Sequence, residues 1–486
     1  EARQGLTYCL LNYIYRNLRM NFRFFFYLIN IAIVSFSVAG CQYPKISNFK
    51  EKAALVINPQ KSLTNVENTA QNRGSKNHAR PLNEILTGSL ADRNGGTTFK
   101  AVLSAALDKD PVVISQRRTV KAKLAAINSS QAKKKYQVTS TVYGGIEDIT
   151  DNTKGIALGL NASRLISDGG KLDAIIAGKN FEAEAAQLNL SATVNERAYS
   201  IGVVWLEIEK YKNLKILIDD RIAVLDPLID QLEQVAKAGI GDVGKVAAAQ
   251  RTVSGIRVTQ TGISEGLAKA QLEYSNAYGY VDKSISYDPQ FIRDLLPDTI
   301  QDGLAKNSPL LLAMYAKYQA SLSRVTAVRA DDDFNVGLEA RVMRPFAGSG
   351  YDSDESVGLV ARKTLYNGGM LESDIDEAEA ISEAALAEIE AAYRSGTSII
   401  QSAQQSKESM QKAIDLAREN AKLTADEIIY LRQQLIIGES SLDSVLSAEA
   451  RLYEAESQEI KFVTEKRKAE LLIASTLGLL APAIGF

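Results

Sequence analysis

One histidine, His78, and two cysteines, Cys9 and Cys41, are the whole supply of imidazole and thiol in 486 residues. Past position 78 the chain has no imidazole base, no thiol nucleophile and no Cys/His set for zinc, which leaves only carboxylate, Ser or Lys chemistry. No catalytic, cofactor or metal site is therefore expected, and the chain reads as a non-enzyme. His78 sits among Asn, Lys and Arg and reads as a solvated side chain. The cysteines lie 32 positions apart with none in the body, so they build no disulfide framework. The 56 basic and 58 acidic side chains balance, and no electrostatic case for a nucleic-acid partner arises.

Cys41 has a more specific context. After Met20 come Arg23, an apolar run from Phe24 to Val38, and then Val38-Ala39-Gly40-Cys41. The run is short for a membrane span, and small residues directly before a Cys resemble the lipobox of bacterial lipoproteins. That resemblance implies cleavage before Cys41 and lipidation of its thiol and new amine. The alternative is a lone Cys beside a short anchor. Gln42 in place of Asp favours the outer membrane. Residues 1–40 read as a signal peptide with an upstream stretch, Glu1–Arg19, that need not belong to the product; Cys9 then has no role. Residues 41–96, rich in Asn, Lys, Ser, Thr and Gln, read as a lipidated N-terminal tether.

The elements beyond the tether are set by where proline and glycine fall. No Pro occurs between Phe346 and Ala481, and only Pro227 interrupts the span from Val112 to Asp288. Pro in a helix interior costs about 3 kcal/mol, so these runs permit very long helices. Gly169-Gly170 recurs as Gly368-Gly369 at an offset of 199, as do Gly239 with Gly438 and Gly279 with Gly478, while Pro111 matches Pro309 at 198. Repeats of this length are duplicated domains, because solenoid units recur at about 20 to 50 residues. Repeat 1 is assigned to residues 97–285 and repeat 2 to 286–486, each with a helix, two strands, a long helix and a returning helix.

The leading helical segments are Thr98–Lys135 and Asp298–Ala330. The strand candidates are Gln137–Glu147 and Gly155–Ile166, then Phe334–Met343 and Ser356–Tyr366. Ile156, Leu158 and Leu160 alternate with polar or small residues, as do Phe334, Val336, Leu338, Ala340 and Val342, which puts each set on one sheet face. From Gly170 to Gly239 and from Gly369 to Gly438 the chain can run helical for roughly 100 Å at about 1.5 Å per residue. Ile414, Ala417, Ala421, Thr424, Ile428, Leu431 and Leu435 step by three and four, as in a coiled-coil seam. Pro227 is expected to kink or break the first long helix. Gly239 and Gly438 allow reversals into returning helices of about 40 residues.

Four strands of this length suit tilted bilayer crossings but cannot close a barrel, for which about eight is the practical minimum. Open edges are not tolerated in lipid, so strands that enter a membrane require oligomerisation, and three copies supply twelve. Tyr143, Phe346 and Tyr351 are candidate interfacial aromatics. A small soluble sheet capping a helical bundle is the other solution.

The order of these features resembles the TolC family of outer-membrane efflux proteins over Phe99–Leu480. The resemblance rests on the duplication, the Asp168-Gly169-Gly170 and Asn367-Gly368-Gly369 turns, the Gly239 and Gly438 reversals, and the Ala248-Ala249-Gln250-Arg251 and Leu446-Ser447-Ala448-Glu449-Ala450-Arg451 stretches. It implies an α+β membrane protein: a homotrimer with a 12-stranded transmembrane β-barrel in the bacterial outer membrane and a long α-helical coiled-coil barrel crossing the periplasm. It also implies a periplasmic adaptor protein and an inner-membrane transporter as partners, besides outer-membrane lipid. The function implied is a passive duct for efflux or type I secretion. The alternatives are a periplasmic adaptor, whose lipoyl-like and Gly-rich β modules are not evident here, or a structural coiled-coil lipoprotein, which gives no reason for duplicated strand pairs. Neither substrate nor cognate transporter is legible.

By the same resemblance the gate lies at the periplasmic tip. Gly239, Ile240, Gly241 and Val243, with Gly438, Ser441 and Leu442, form the tip turns and adaptor contact; Asp242, Asp443, Ser444 and Ser447 are the gate candidates. Rings of carboxylates at such a constriction favour cations. Asp242 and Asp443 can equally cap the returning helices. Asp331-Asp332-Asp333 offers a further acidic ring at the barrel mouth, or a solvated turn. If Asp242 and Asp443 form the gate, replacing both with Ala raises single-channel conductance in planar bilayers; unchanged conductance removes the assignment.

Overall fold

A computed structural model describes residues 98–148, 153–238, 243–279, 289–296, 304–348, 352–437 and 439–486. The elements in chain order are α1 (Phe99–Lys109), α2 (Pro111–Ala132), β1 (Gln137–Asp148), β2 (Thr153–Ser167), α3 (Lys171–Lys237), α4 (Val243–Tyr278), the short α5 (Pro289–Arg293), α6 (Pro309–Arg329), β3 (Asn335–Gly348), β4 (Asp354–Arg362), α7 (Met370–Ile436), α8 (Leu442–Thr476) and α9 (Leu480–Ile484). Cys9, Cys41 and His78 lie outside the described residues.

Local sequence decides where each repeat starts. The leading segment, expected as one helix, divides at Asp110-Pro111. Asp110 Oδ1 accepts hydrogen bonds from the backbone N–H groups of Val112 (2.8 Å) and Val113 (3.2 Å), and Pro111 opens α2 where a missing N–H costs nothing. Repeat 2 uses Ser308-Pro309 in the same way, with Ser308 Oγ accepting from the Leu311 N–H at 3.3 Å.

The duplication holds at the level of backbone geometry. Helices α3 and α7 both contain 67 residues and start and end exactly 199 positions apart, 171 against 370 and 237 against 436. At about 1.5 Å per residue each is roughly 100 Å long. The returning helices α4 and α8 contain 36 and 35 residues. The left-handed conformation recurs too: φ is 67° and 87° at Gly169 and Gly170 against 74° and 86° at Gly368 and Gly369, and 92° at Gly279 against 79° at Gly478. Only glycine takes these values cheaply, which explains why the glycines mark the repeat. Pro227 does not break α3, which continues past it to Lys237. The expected seam is buried at Ile414, Ala417, Thr424 and Ile428, and Ala421 and Leu431 pack against the cluster of Ile428 with Ala448 and Leu452 of α8.

The strands form one antiparallel sheet in the order β1-β2-β3-β4, so the β2–β3 pairing joins the repeats. Register places Val142 opposite Leu158, Leu160 opposite Val342, Ala340 opposite Val357 and Leu338 opposite Leu359. β4 ends at Arg362, short of the expected Tyr366. β1 and β4 are edges with no further strand among the described residues. No described helix is long and apolar enough to cross a membrane.

The main core gathers where the repeats meet. Trp205 of α3 packs edge-on against Tyr274 of α4 (5.1 Å between ring centroids) and at a tilt against Phe99 of α1 (6.1 Å), with Leu471, Ala474 and Leu480 around them. Asn195, itself buried, ties the C-terminal helix to α3: its Oδ1 accepts from the N–H groups of Leu480 (2.8 Å) and Ala481 (3.1 Å). Replacing Asn195 with Leu leaves two buried donors unpaired. We expect a loss of about 2–4 kcal/mol, read as a lowered thermal midpoint of the detergent-solubilised protein, whereas Asn195→Asp keeps the acceptor and loses less.

Candidate functional site

The two long hairpins are held together by charged side chains at matching positions. In repeat 1, Gln250 on α4 donates to Glu233 on α3 at 2.8 Å, and Gln260 donates to Asp219 at 2.6 Å. Adding 199 to these four numbers gives Glu449, Arg432, Glu459 and Arg418. In repeat 2, Arg432 on α7 pairs with Glu449 on α8 at 2.8 Å, and Arg418 with Glu459 at 2.7 Å. The contact positions are kept while the chemistry is exchanged: an acid on the long helix meets an amide in repeat 1, and an arginine on the long helix meets an acid in repeat 2. Hydrogen bonds from Lys215 and Gln260 hold the Asp219 carboxyl below its usual value.

Helices α3 and α8 carry the ties between repeats. Glu207 pairs with Lys468 at 2.6 Å and Glu209 with Arg467 at 2.9 Å. Burial pushes the Glu207 carboxyl up, but hydrogen bonds from Lys210 and Lys468 outweigh it and leave the group below the usual carboxylate range. Nearer the tip, Arg221 of α3 bonds the Glu449 carboxylate and reaches Glu456 at 2.8 Å. Glu449 is 2% exposed. It therefore accepts one arginine from each hairpin, Arg221 from repeat 1 and Arg432 from repeat 2. Arg221 Nε is buried with no hydrogen-bond partner among the described residues. This lock lies within the Ala448-Glu449-Ala450 stretch.

At the tip, Gly239, Ile240, Gly241, Asp242 and Gly438 lie outside the described residues. Val243 begins α4 and Leu442 begins α8. Ser441 is the N-cap of α8: its Oγ accepts from the Ser444 N–H at 3.2 Å and lies 2.9 Å from Ser444 Oγ. Ser441, and not Asp443, therefore does the capping, and the Ser444 hydroxyl is engaged there too. Asp443 in the first helical turn is exposed and shares the open face of α8 with Ser447 four residues on.

The turns that launch the long helices differ in chemistry. Asp168 Oδ1 and Oδ2 accept from the N–H groups of Gly170 (3.2 Å) and Leu172 (2.8 Å), and a Cβ on Gly169 would stand 2.3 Å from Asp333 Oδ2. Gly369, the N-cap of α7, has no side-chain cap bond. The acidic triplet is largely neutralised: Asp331 pairs with Lys171 and Asp332 with Lys363 at 3.4 Å.

The sheet has one largely apolar face, interrupted by Arg164 at its helical end and by the Arg344–Glu355 ion pair toward the other end, and one polar face. Val138, Val142, Leu158, Leu160, Leu338, Ala340, Val342, Val357 and Leu359 share a face by register, and Val138, Val142, Leu160, Val357 and Leu359 are exposed. The opposite face carries Thr139, Thr141, Asn161, Ser163, Glu339, Arg341, Ser356 and Arg362, with Arg362 Nη2 bonded to Glu339 Oε2 at 3.0 Å. Tyr143, expected at a lipid interface, falls on this polar face opposite Ala157, and its ring covers Gly159. Phe346 lies within β3, and Tyr351 outside the described residues. Instead, exposed aromatics flank the helical end of the sheet in both repeats. Arg164 lies 5.1 Å from the Tyr136 ring centroid and Lys363 lies 5.8 Å from that of Phe334, partners that differ by 199 and 198 positions. Period-two reading could not find this pair, because Tyr136 precedes the strand.

Residues 301–479 match the family model described as outer membrane efflux protein. Among solved structures, CusC is 15% identical with a TM-score of 0.69, covering 82% of this chain and 98% of its own. The outer membrane protein VceC of Vibrio cholerae is 16% identical with a TM-score of 0.66, covering 77% and 94%. The open-state MtrE outer membrane channel of Neisseria gonorrhoeae is 13% identical with a TM-score of 0.65, covering 78% and 88%. Identities this low carry the fold. No curated protein sequence matches.

Replacing Glu449 with Ala leaves Arg221 with Glu456 alone and the half-exposed Arg432 without its partner, and is expected to cost about 1.5–3 kcal/mol, measured by thermal unfolding. Joint replacement of Glu449, Arg221 and Arg432 by apolar residues should recover much of that loss.

Proposed function

We propose that this chain, whose residues 301–479 match the outer membrane efflux protein model and whose described body is similar in fold to solved outer-membrane channels, is a passive outer-membrane duct. The sheet carries this reading: it is largely apolar on one face, polar on the other, and open at both edges. Lipid accepts the apolar face but not unpaired edge N–H and C=O groups. Four strands cannot curl shut, whereas three copies, each pairing β4 with the next copy's β1, close twelve strands around a wet lumen. The apolar face meets acyl chains, and Tyr136 and Phe334, with their cations, sit at the headgroup level of the periplasmic leaflet.

Below the membrane the α3/α4 and α7/α8 hairpins extend the duct through the periplasm. Repeat 1 spans residues 97–285 and repeat 2 residues 286–486. Residues 41–96 tether the body to a lipidated Cys41. The duct performs no chemical step; an inner-membrane transporter supplies the energy and a periplasmic adaptor engages the tips. There Gly239, Ile240, Gly241, Val243, Gly438, Ser441 and Leu442 form the turns, and Asp242, Asp443 and Ser447 line the closure, while Ser444 serves the α8 cap. The cargo is a small toxic compound or a secreted polypeptide.

The purified full chain should run as a trimer in mild detergent and form discrete channels in planar bilayers. A monomer without channels defeats the reading.

A further inference from the structure

On the polar sheet face, Arg341 and Asp354 are in no ion pair among the described residues, although Arg341 lies near enough to Glu339 for the two charges to interact. Thr139, Asn161, Arg341 and Ser356 are successive partners across β1, β2, β3 and β4. In that tier Arg341 bonds only an amide, donating from Nε to Asn161 Oδ1 at 3.2 Å, and no ion pair to it occurs among the described residues. The tier toward the helices runs Gln137, Ser163, Glu339 and Gly358, and its acid is already held by both Nη atoms of Arg362. The tier on the other side runs Thr141, Gly159, Met343 and Asp354, where the carboxylate stands at the sheet end remote from the helices. The polar face is thus neutral in one tier, cationic in the next and anionic in the last.

The position argues for function over stability. A guanidinium on the lipid face near the bilayer middle costs about 2–4 kcal/mol, so Arg341 must face water in any membrane-inserted form. A paired arginine there would cost no more and contribute no field. Left with an amide for a partner, and repeated in each copy, it projects positive potential into the lumen, as arginine and lysine rings do in anion-conducting pores.

We propose that Arg341 forms a cationic ring that shifts the ion selectivity of the β-lumen toward anions, against the opposite pull of the Asp354 tier. This rests on the duct reading above. The test is the reversal potential of the full-length protein in planar bilayers under a KCl gradient near 0.1 M, where the Debye length is about 10 Å. Arg341→Gln should raise the cation-to-anion permeability ratio by about two-fold or more, and Arg341→Lys should hold the wild-type value. Ser356→Glu, which sets a carboxylate opposite Arg341 without touching it, should shift the ratio in the same direction as Arg341→Gln. The differences should shrink in about 1 M salt. Channels with one reversal potential across wild type, Arg341→Gln and Ser356→Glu overturn the assignment of Arg341 while leaving the duct intact. Absence of channels from the wild-type protein overturns the duct and the ring together.

Discussion

A strand at the edge of a sheet exposes a row of N–H and C=O groups, and β1 and β4 are both edges of this kind. Water satisfies such groups at little cost; hydrocarbon does not, at several kcal/mol each. The apolar face formed by Val138, Val142, Leu160, Val357 and Leu359 draws the sheet into lipid, and the edges forbid it to enter alone. In the proposed duct the two demands are met by closure between copies. The second repeat serves the proposed closure, since its strands continue the first repeat's sheet through β2–β3.

The helical part answers a different constraint. A 67-residue helix buries too little by itself to stay straight and single in water, and most of its stability must come from packing along its length. The seam from Ile414 to Ile428 supplies this within repeat 2, while the Trp205 cluster and the α3–α8 ion pairs supply it between repeats. Small residues in the seam keep the helices close. The buried Glu449, gripped by Arg221 and Arg432, commits an almost fully enclosed charge to that interface.

Much of this was legible in the order of residues alone. The glycine pairs at an offset of 199 foretold the repeat because left-handed backbone is a demand that few side chains besides hydrogen can meet, and Gly169, Gly170, Gly279 and their counterparts all adopt it. The alternation of Leu158 and Leu160, or of Leu338, Ala340 and Val342, identified the lipid-compatible face. Other features were not legible. The division at Asp110-Pro111 was missed because proline was weighed as a breaker and not as an opener. Pro227 does not break α3, which runs on to Lys237. Tyr143 was assigned by residue type, whereas the register of β1 against β2 determines its face. The hairpin contacts escaped detection because Glu233 and Arg432 occupy one position with opposite charge, so no likeness of residues links them.

That exchange of charge bears on how the chain avoids tangling during synthesis. Two helical hairpins of equal length and common ancestry are natural candidates for trading partners, either within one chain or between nascent neighbours. In a traded arrangement Glu233 of α3 would confront Glu449 of α8, and Asp219 would confront Glu459, while Arg432 and Arg418 of α7 would be left with the neutral amides of Gln250 and Gln260. Facing like charges across a packed helix pair disfavours the swap, and the correct pairing has no such conflict. The divergence of the two halves thus leaves each return helix matched in charge to its own long helix and mismatched to the other.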